Sequence, residues 1–149
     1  MSIKKSLYEY CESFLKNKIQ TLKDDINHLQ TSANEETKSS AGDKYETGRA
    51  MAQLEIEKSL GQLEEVKKQM DFLSTINPEL TSSTITKGSV VFTSNGNFYL
   101  SVSLGLVKIE GNAYYCISPA SPIAVQFMKQ KEGNSFIFNN RHYKIEKVI

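Results

Sequence analysis

Apolar positions recur at two different periods along this chain, and the change falls near its middle. Leu15, Ile19, Leu22, Ile26 and Leu29 step 4-3-4-3, and Tyr8, Leu15, Leu22 and Leu29 lie seven apart. That spacing predicts a long helix with a narrow coiled-coil seam and solvated outer faces. Leu54, Ile56, Leu60, Leu63, Val66, Met70 and Leu73 predict a second helix, in which Ile56, Leu63 and Met70 are again seven apart. Gly61 sits inside it, at a cost of about 1 kcal/mol against Ala. Neither helix can bury its seam alone, and folding back as an antiparallel hairpin is the shortest solution. About 30 residues per arm at ~1.5 Å each give a rod of roughly 45 Å. The bend falls between Asn34 and Tyr45, where large apolar residues give way to Ser and Gly, so this stretch is expected to form an exposed tip.

Beyond residue 85 the alternation is that of strands. Segments 88–93 and 97–103 flank Asn95-Gly96, a strong hairpin turn signal. Segment 112–117 predicts a third strand. Ser121 offers an N-cap with Pro122 at the first helical position, opening a short helix to Met128 that stops near Gly133. Segments 136–138 and 143–149 predict a closing hairpin around Asn139-Asn140. The expected class is α+β: an N-terminal helical hairpin over 1–76 with its tip near 38–47, a linker over 77–84, and a small antiparallel sheet with one helix over 85–149.

Charge sharpens this division. Residues 1–75 carry 11 basic and 13 acidic side chains and no Pro, whereas residues 76–149 carry 7 and 4 and all 3 Pro. With a net charge of +1 overall, a whole-molecule grip on duplex nucleic acid is not expected. No apolar run is long enough for a transmembrane helix, and Lys4-Lys5 is followed by no apolar stretch of a secretory signal. Cys11 and Cys116 have no metal-type spacing and are expected to be buried free thiols in a reducing cytoplasm.

Most catalytic chemistry has no support in the residues. There is no glycine-rich phosphate loop and no Cys/His cluster. His28 and His142, without acidic or nucleophilic partners nearby in sequence, read as surface residues. Asp24-Asp25 and Glu35-Glu36 are adjacent pairs that splay apart on a helix and read as solvated faces. Asp43 and Glu46 differ, because they lie three apart where the second helix should begin. One reading is a capping box, stabilising the helix by about 1 kcal/mol. The other is a pair of hard oxygen ligands for Mg²⁺, incomplete alone and completed by a partner. Lys38, Lys44 and Arg49 surround the same tip and either attract an RNA phosphate or balance the local acids.

Several stretches resemble the Gre-type bacterial transcript cleavage factors. One is Ala41-Gly42-Asp43-Lys44-Tyr45-Glu46 at the expected tip. Another is Ile117-Ser118-Pro119-Ala120-Ser121-Pro122-Ile123-Ala124, followed by Lys131-Glu132-Gly133-Asn134-Ser135-Phe136 and Tyr143-Lys144-Ile145-Glu146. The resemblance spans both halves and implies an FKBP-like fold for 85–149, without implying prolyl isomerase activity. It also implies a partner, RNA polymerase, docked at the rim of its secondary channel near Ser121, Pro122 and Ile123. The hairpin would enter the channel and bring Asp43 and Glu46 to the polymerase active site. There they would help hold a second Mg²⁺ and stimulate cleavage of a backtracked RNA 3′ end. On this resemblance the chain is an accessory factor and not an enzyme, it holds Mg²⁺ only in the complex, and it meets the nascent RNA only indirectly. No membrane partner and no stably bound small molecule are expected.

The sequence also departs from that family. Thr47-Gly48-Arg49-Ala50 stands where the family has Asn-Ala-Glu-Tyr, and 104–110 carries a single acid, Glu110, where the family has an acidic element. Two alternatives therefore accompany the cleavage reading. One is a channel-binding regulator or inhibitor without cleavage stimulation. The other is a coiled-coil adaptor whose tip acids only cap a helix.

Overall fold

The structure, a computed structural model, describes residues 2–36, 42–128 and 130–149, with the backbone alone at 36 and 42–46. Two long helices open the chain, α1 (Ile3–Glu36) and α2 (Gly42–Ser74). Six strands and one short helix follow: β1 (Val90–Thr93), β2 (Gly96–Leu100), β3 (Gly105–Ile109), β4 (Asn112–Ile117), α3 (Pro122–Phe127), β5 (Ser135–Phe138) and β6 (Arg141–Val148). The α+β class is as expected. The chain forms two compact units: Ser13–Met70, and Met1–Glu12 together with Asp71–Ile149.

In the Ser13–Met70 unit the helices pack along a seam. Leu15, Leu22 and Ile26 are buried, with Ile19 and Leu29 half-buried between and beyond them, as the heptad spacing predicts. The seam of α2 is less literal. It runs through Ala52, Ile56, Ser59, Leu63, Val66 and Met70, a continuous 4-3 alternation in which Ala52, Ser59 and Met70 are half-buried and the others buried. Leu54 and Leu60, apolar but off this register, are exposed at 66% and 47%. Helix geometry overrides residue type here: a leucine one or two positions off the seam points about 100–200° away from the partner helix.

The other unit contains the first residues of α1, the last of α2 and the whole sheet. Here α1 buries Lys4, Leu7 and Cys11, and the next buried residue is Leu15. The 3-4-4 spacing averages about 3.7 residues per turn, near the period of a straight helix, and departs from the ~3.5 of the heptad seam. It places Leu7 in the core and leaves Tyr8, the expected seam residue, half-buried. The change in spacing coincides with the boundary between the two units.

The sheet has the order β3-β4-β2-β1-β6-β5. It is mixed and not purely antiparallel, because β2 and β4 pair in parallel, Phe98 opposite Tyr115 and Tyr99 opposite Cys116. The cause is β3, a strand absent from the sequence expectation. It occupies the edge beyond β4 and hands the chain back through Glu110-Gly111, whose φ values of 51° and 82° suit a tight two-residue hairpin turn. Asn139-Asn140, φ 50° and 64°, turns the β5–β6 hairpin in the same way. The β1–β2 turn lies one residue earlier than expected: Thr93 pairs with Gly96, so Ser94 and Asn95 form the loop.

Central strands β1 and β2 bury consecutive residues, Val90 with Val91 and Phe98 with Tyr99 and Leu100. Both faces of the sheet are therefore covered. One face carries Val91, Phe98, Leu100, Tyr143 and Ile145 beneath Ala124 and Phe127 of α3. Its aromatic contacts are close, with Phe98 and Phe127 ring centroids 4.9 Å apart and Phe127 and Phe136 5.2 Å apart in an edge contact. The opposite face carries Tyr99 and Cys116 and receives Cys11 of α1.

Two glycines and two apolar residues distinguish these environments experimentally. A Cβ at Gly61 would meet nothing within 4 Å, so Gly61→Ala is expected to raise stability by about 0.5–1 kcal/mol. At Gly88, φ +83°, a Cβ would fall 2.7 Å from Ile76 Cγ2, so Gly88→Ala is expected to cost about 2 kcal/mol or more. Ile56→Ala is expected to cost about 2–4 kcal/mol, while Leu54→Ala stays within about 0.5 kcal/mol of the parent. Urea denaturation with a constant m-value checks all four.

Candidate functional site

Gly42 opens α2, so Asp43, Lys44 and Glu46 stand in its first turns. Asp43 and Glu46 are three positions apart on a helical backbone, which places both on one side of α2. Their side chains, with that of Lys44, lie outside the described residues, as does the whole of Lys38. Arg49 lies further along α2 and is exposed. It borders a groove of about 440 Å³ that it shares with Gln30, Asn34 and Gln53. As chemistry, two carboxylates three apart give hard oxygen donors of the kind Mg²⁺ accepts, but only part of a six-oxygen shell. Among the described residues no group of three or more His, Cys, Asp or Glu could complete one.

The other expected surface lies at the start of α3. Pro122 is exposed at the first helical position, and Ser121 holds the N-cap position with extended backbone, φ −66° and ψ 150°. The hydroxyl does not cap the helix. It donates instead to the Ser118 carbonyl at 2.7 Å, while the Ser118 hydroxyl accepts from the Ala120 N–H at 3.1 Å. The Ser118–Ser121 segment is thus tied into a self-contained turn. Ile123 packs partly against the Phe98–Phe127 core, which leaves Pro122 as the freely presented residue of the three.

The Lys131–Phe136 stretch has a local structural task. The Glu132 carboxylate accepts the Val148 N–H at 2.7 Å, and Gly133, φ +87°, donates to the Ile145 carbonyl at 2.9 Å. Together they anchor the chain that leaves α3 onto β6. His28 and His142 are exposed, as are Asp24, Asp25 and Glu35. Both cysteines are free and buried.

What sequence reasoning missed is that the two cysteines meet. The Cys11 thiol of α1 hydrogen-bonds with that of Cys116 on β4, beside Ser101 and Tyr99. The Cys116 contact and, less strongly, Ser101 hold the Cys11 thiol below its usual pKa against the opposing effect of burial. The Cys116 thiol is pushed up, first by its hydrogen bond to Cys11 and then by burial. The Tyr99 and Ser101 hydroxyls make no hydrogen bond of good geometry, although Ser101 remains near enough to influence Cys11. Burial is the main cause that pushes the Tyr99 phenol up from its usual 10.0. Cys11 on one helix face and Cys116 at alternate-residue spacing both read as ordinary core positions, so no local signal pairs them.

This geometry defines a class: a helical hairpin joined to a six-stranded mixed sheet with one short helix. No family model matches the chain, and no curated protein or solved structure is significantly similar to it. Among the described residues no helix is long and apolar enough to cross a membrane.

The Tyr99 phenol supplies a test of the buried cluster. Its folded pKa lies above the unfolded value of 10.0, so its contribution to stability is intact below pH 10 and is lost as pH climbs beyond that value. Tyr99→Phe removes a buried hydroxyl without a good partner. It is expected to leave neutral-pH stability unchanged or raised by about 1 kcal/mol. It is also expected to make the alkaline decline shallower by up to about 1.4 kcal/mol per pH unit. Thermal melts of both proteins from pH 8 to 11.5 read this out.

Proposed function

We propose that this chain acts on bacterial RNA polymerase as a Gre-type factor, stimulating cleavage of backtracked RNA. One observation carries the reading: Asp43 and Glu46 stand on one side of the opening turns of the second helix of a long hairpin. The quoted resemblance at 41–46, 117–124, 131–136 and 143–146 adds the family to that geometry. In this reading 85–149 is an FKBP-like docking domain and Pro122, flanked by Ser121 and Ile123, lies at the contact with the channel rim. Asp43 and Glu46 would supply two oxygen ligands to a Mg²⁺ whose remaining ligands belong to the polymerase. When bound, the ion supplies positive charge against the charge that develops as the phosphodiester is cut. The chain's own part is delivery: a helix holds both acids at fixed spacing, and Lys38, Lys44 and Arg49 offer positive charge to RNA phosphates nearby. The protein is then a cytoplasmic accessory factor that performs no reaction alone.

A second reading is favoured by specific residues. Thr47-Gly48-Arg49-Ala50 follows the acid pair where the resembling family carries a further acid, and β3 with its turn holds only Glu110. A protein of the same build that enters the channel without stimulating cleavage would act as a regulator or inhibitor.

Cleavage by stalled elongation complexes decides between these readings. The parent protein is expected to shorten the RNA, and Asp43→Asn or Glu46→Gln to reduce the rate by about a hundredfold, with the melting temperature nearly unchanged. Polymerase binding without RNA shortening would select the regulator. Cleavage that persists in both variants, with about 1 kcal/mol of lost stability, would leave capping as the only role of the acids.

A further inference from the structure

Within the sheet-containing unit, Lys4 is only 5% exposed. Its ammonium donates to the Leu80 carbonyl. Among the described residues no carboxylate pairs with it. A buried ammonium normally pairs with an anion, because desolvating the charge costs far more than one neutral hydrogen bond returns. Burial accordingly holds the Lys4 pKa below its usual 10.5.

The side chain borders a cavity of about 310 Å³ formed by the segment that follows α2. Lys87 borders it too, its ammonium donating to the Thr75 hydroxyl at 3.1 Å. The Asn77 side-chain oxygen Oδ1 accepts the Glu79 N–H at 3.0 Å, which leaves the side-chain amide of Asn77 with its two N–H donors to offer. Thr81 and Thr86 line the same space. No carboxylate is among the residues that line it. The lining therefore includes two lysines, the buried Lys4 and the exposed Lys87, with Asn77 and several Ser and Thr residues beside the apolar Ile76 and Leu80, and it is positive in charge. A monocarboxylate presents two acceptor oxygens and one charge. A phosphoryl group presents three or more oxygens and up to two charges, and it matches this set better. The volume exceeds that of the phosphoryl group and leaves room for a small organic remainder.

We propose that this cavity binds a phosphoryl group, either free phosphate or the phosphate of a small monoester, with Lys4 and Lys87 as its two cationic contacts. The site goes against the expectation of no small-molecule ligand. It is independent of the polymerase reading, since it uses none of Asp43, Glu46 or Pro122.

The test uses the full chain and two probes, inorganic phosphate and adenosine 5′-monophosphate, each titrated at ionic strength held constant with chloride. Binding is followed by calorimetry and by backbone amide shifts over 75–89. Saturable binding is expected, with shifts confined to that segment and the first turn of α1. Lys4→Met and Lys87→Met are each expected to weaken it about tenfold, and Lys68→Met on the exposed face of α2 to leave it unchanged. Lys4→Met should melt no lower than the parent, since it replaces a buried charge by an apolar chain of similar length. Equal affinity for both probes assigns the site to free phosphate, and tighter binding of the nucleotide assigns it to an ester. Absence of saturable binding by either probe overturns the proposal, as does wild-type affinity in a folded Lys4→Met protein.

Discussion

A sheet whose central strands bury consecutive residues cannot stand with one face in water. Val90 and Val91, and Phe98 with Tyr99 and Leu100, point to both sides and all are buried. Burying each such side chain contributes about 1.5–3 kcal/mol, so exposing either face would forfeit several of these terms at once. On one side α3 supplies Ala124 and Phe127. On the other, the first residues of α1 do the covering, with Cys11 set against Cys116. The N-terminal residues thus belong to the same core as the C-terminal strands, and the compact unit comprises both ends of the chain.

That closure encloses polar groups. The Tyr99 and Ser101 hydroxyls and the two thiols are buried within the unit that holds the first residues of α1 and the sheet, and Lys4 of the same unit is also buried. The thiols satisfy one another weakly, as sulfur does. The hydroxyls are satisfied poorly, and Lys4 has a single carbonyl. Buried polar groups of this kind cost stability unless something offsets them. Two different outcomes follow in the two places. Around Tyr99 two hydroxyls are buried without a hydrogen-bond partner, and the cost is carried by the fold. Around Lys4 a cavity adjoins the charge, which is why a ligand is a sensible occupant there and not beside the thiols.

The Ser13–Met70 unit obeys a simpler rule. Its seam needs one or two residues per turn from each helix, and the remaining positions are free to carry charge. Ser59 in the seam and Leu60 outside it show that the register is set by the whole run and not by each residue's own hydrophobicity. The proposed function draws on this economy: a hairpin held by a narrow seam leaves most of its outer positions free to carry charge.

Most of the architecture was legible in the sequence because secondary structure has a local period. The heptads of Leu15–Leu29, the alternation of the strands, Asn139-Asn140 and Ser121-Pro122 each announce their element within a few residues, and the acid pair at 43 and 46 announced itself by spacing at a helix start. Strand β3 was missed because Leu106, Val107 and Ile109 lie among polar and glycine residues, and its turn signal, Glu110-Gly111, is weaker than Asn-Gly. Tertiary structure alone decided that β2 pairs in parallel with β4, that Leu7 and not Tyr8 faces the core, and that Cys11 meets Cys116. It also decided that Lys4, which reads as an ordinary surface lysine, is buried beside a cavity. The reason is physical: a period reports which face of an element is apolar, but the partner of that face is set by contacts between residues remote in sequence, and no local pattern encodes them.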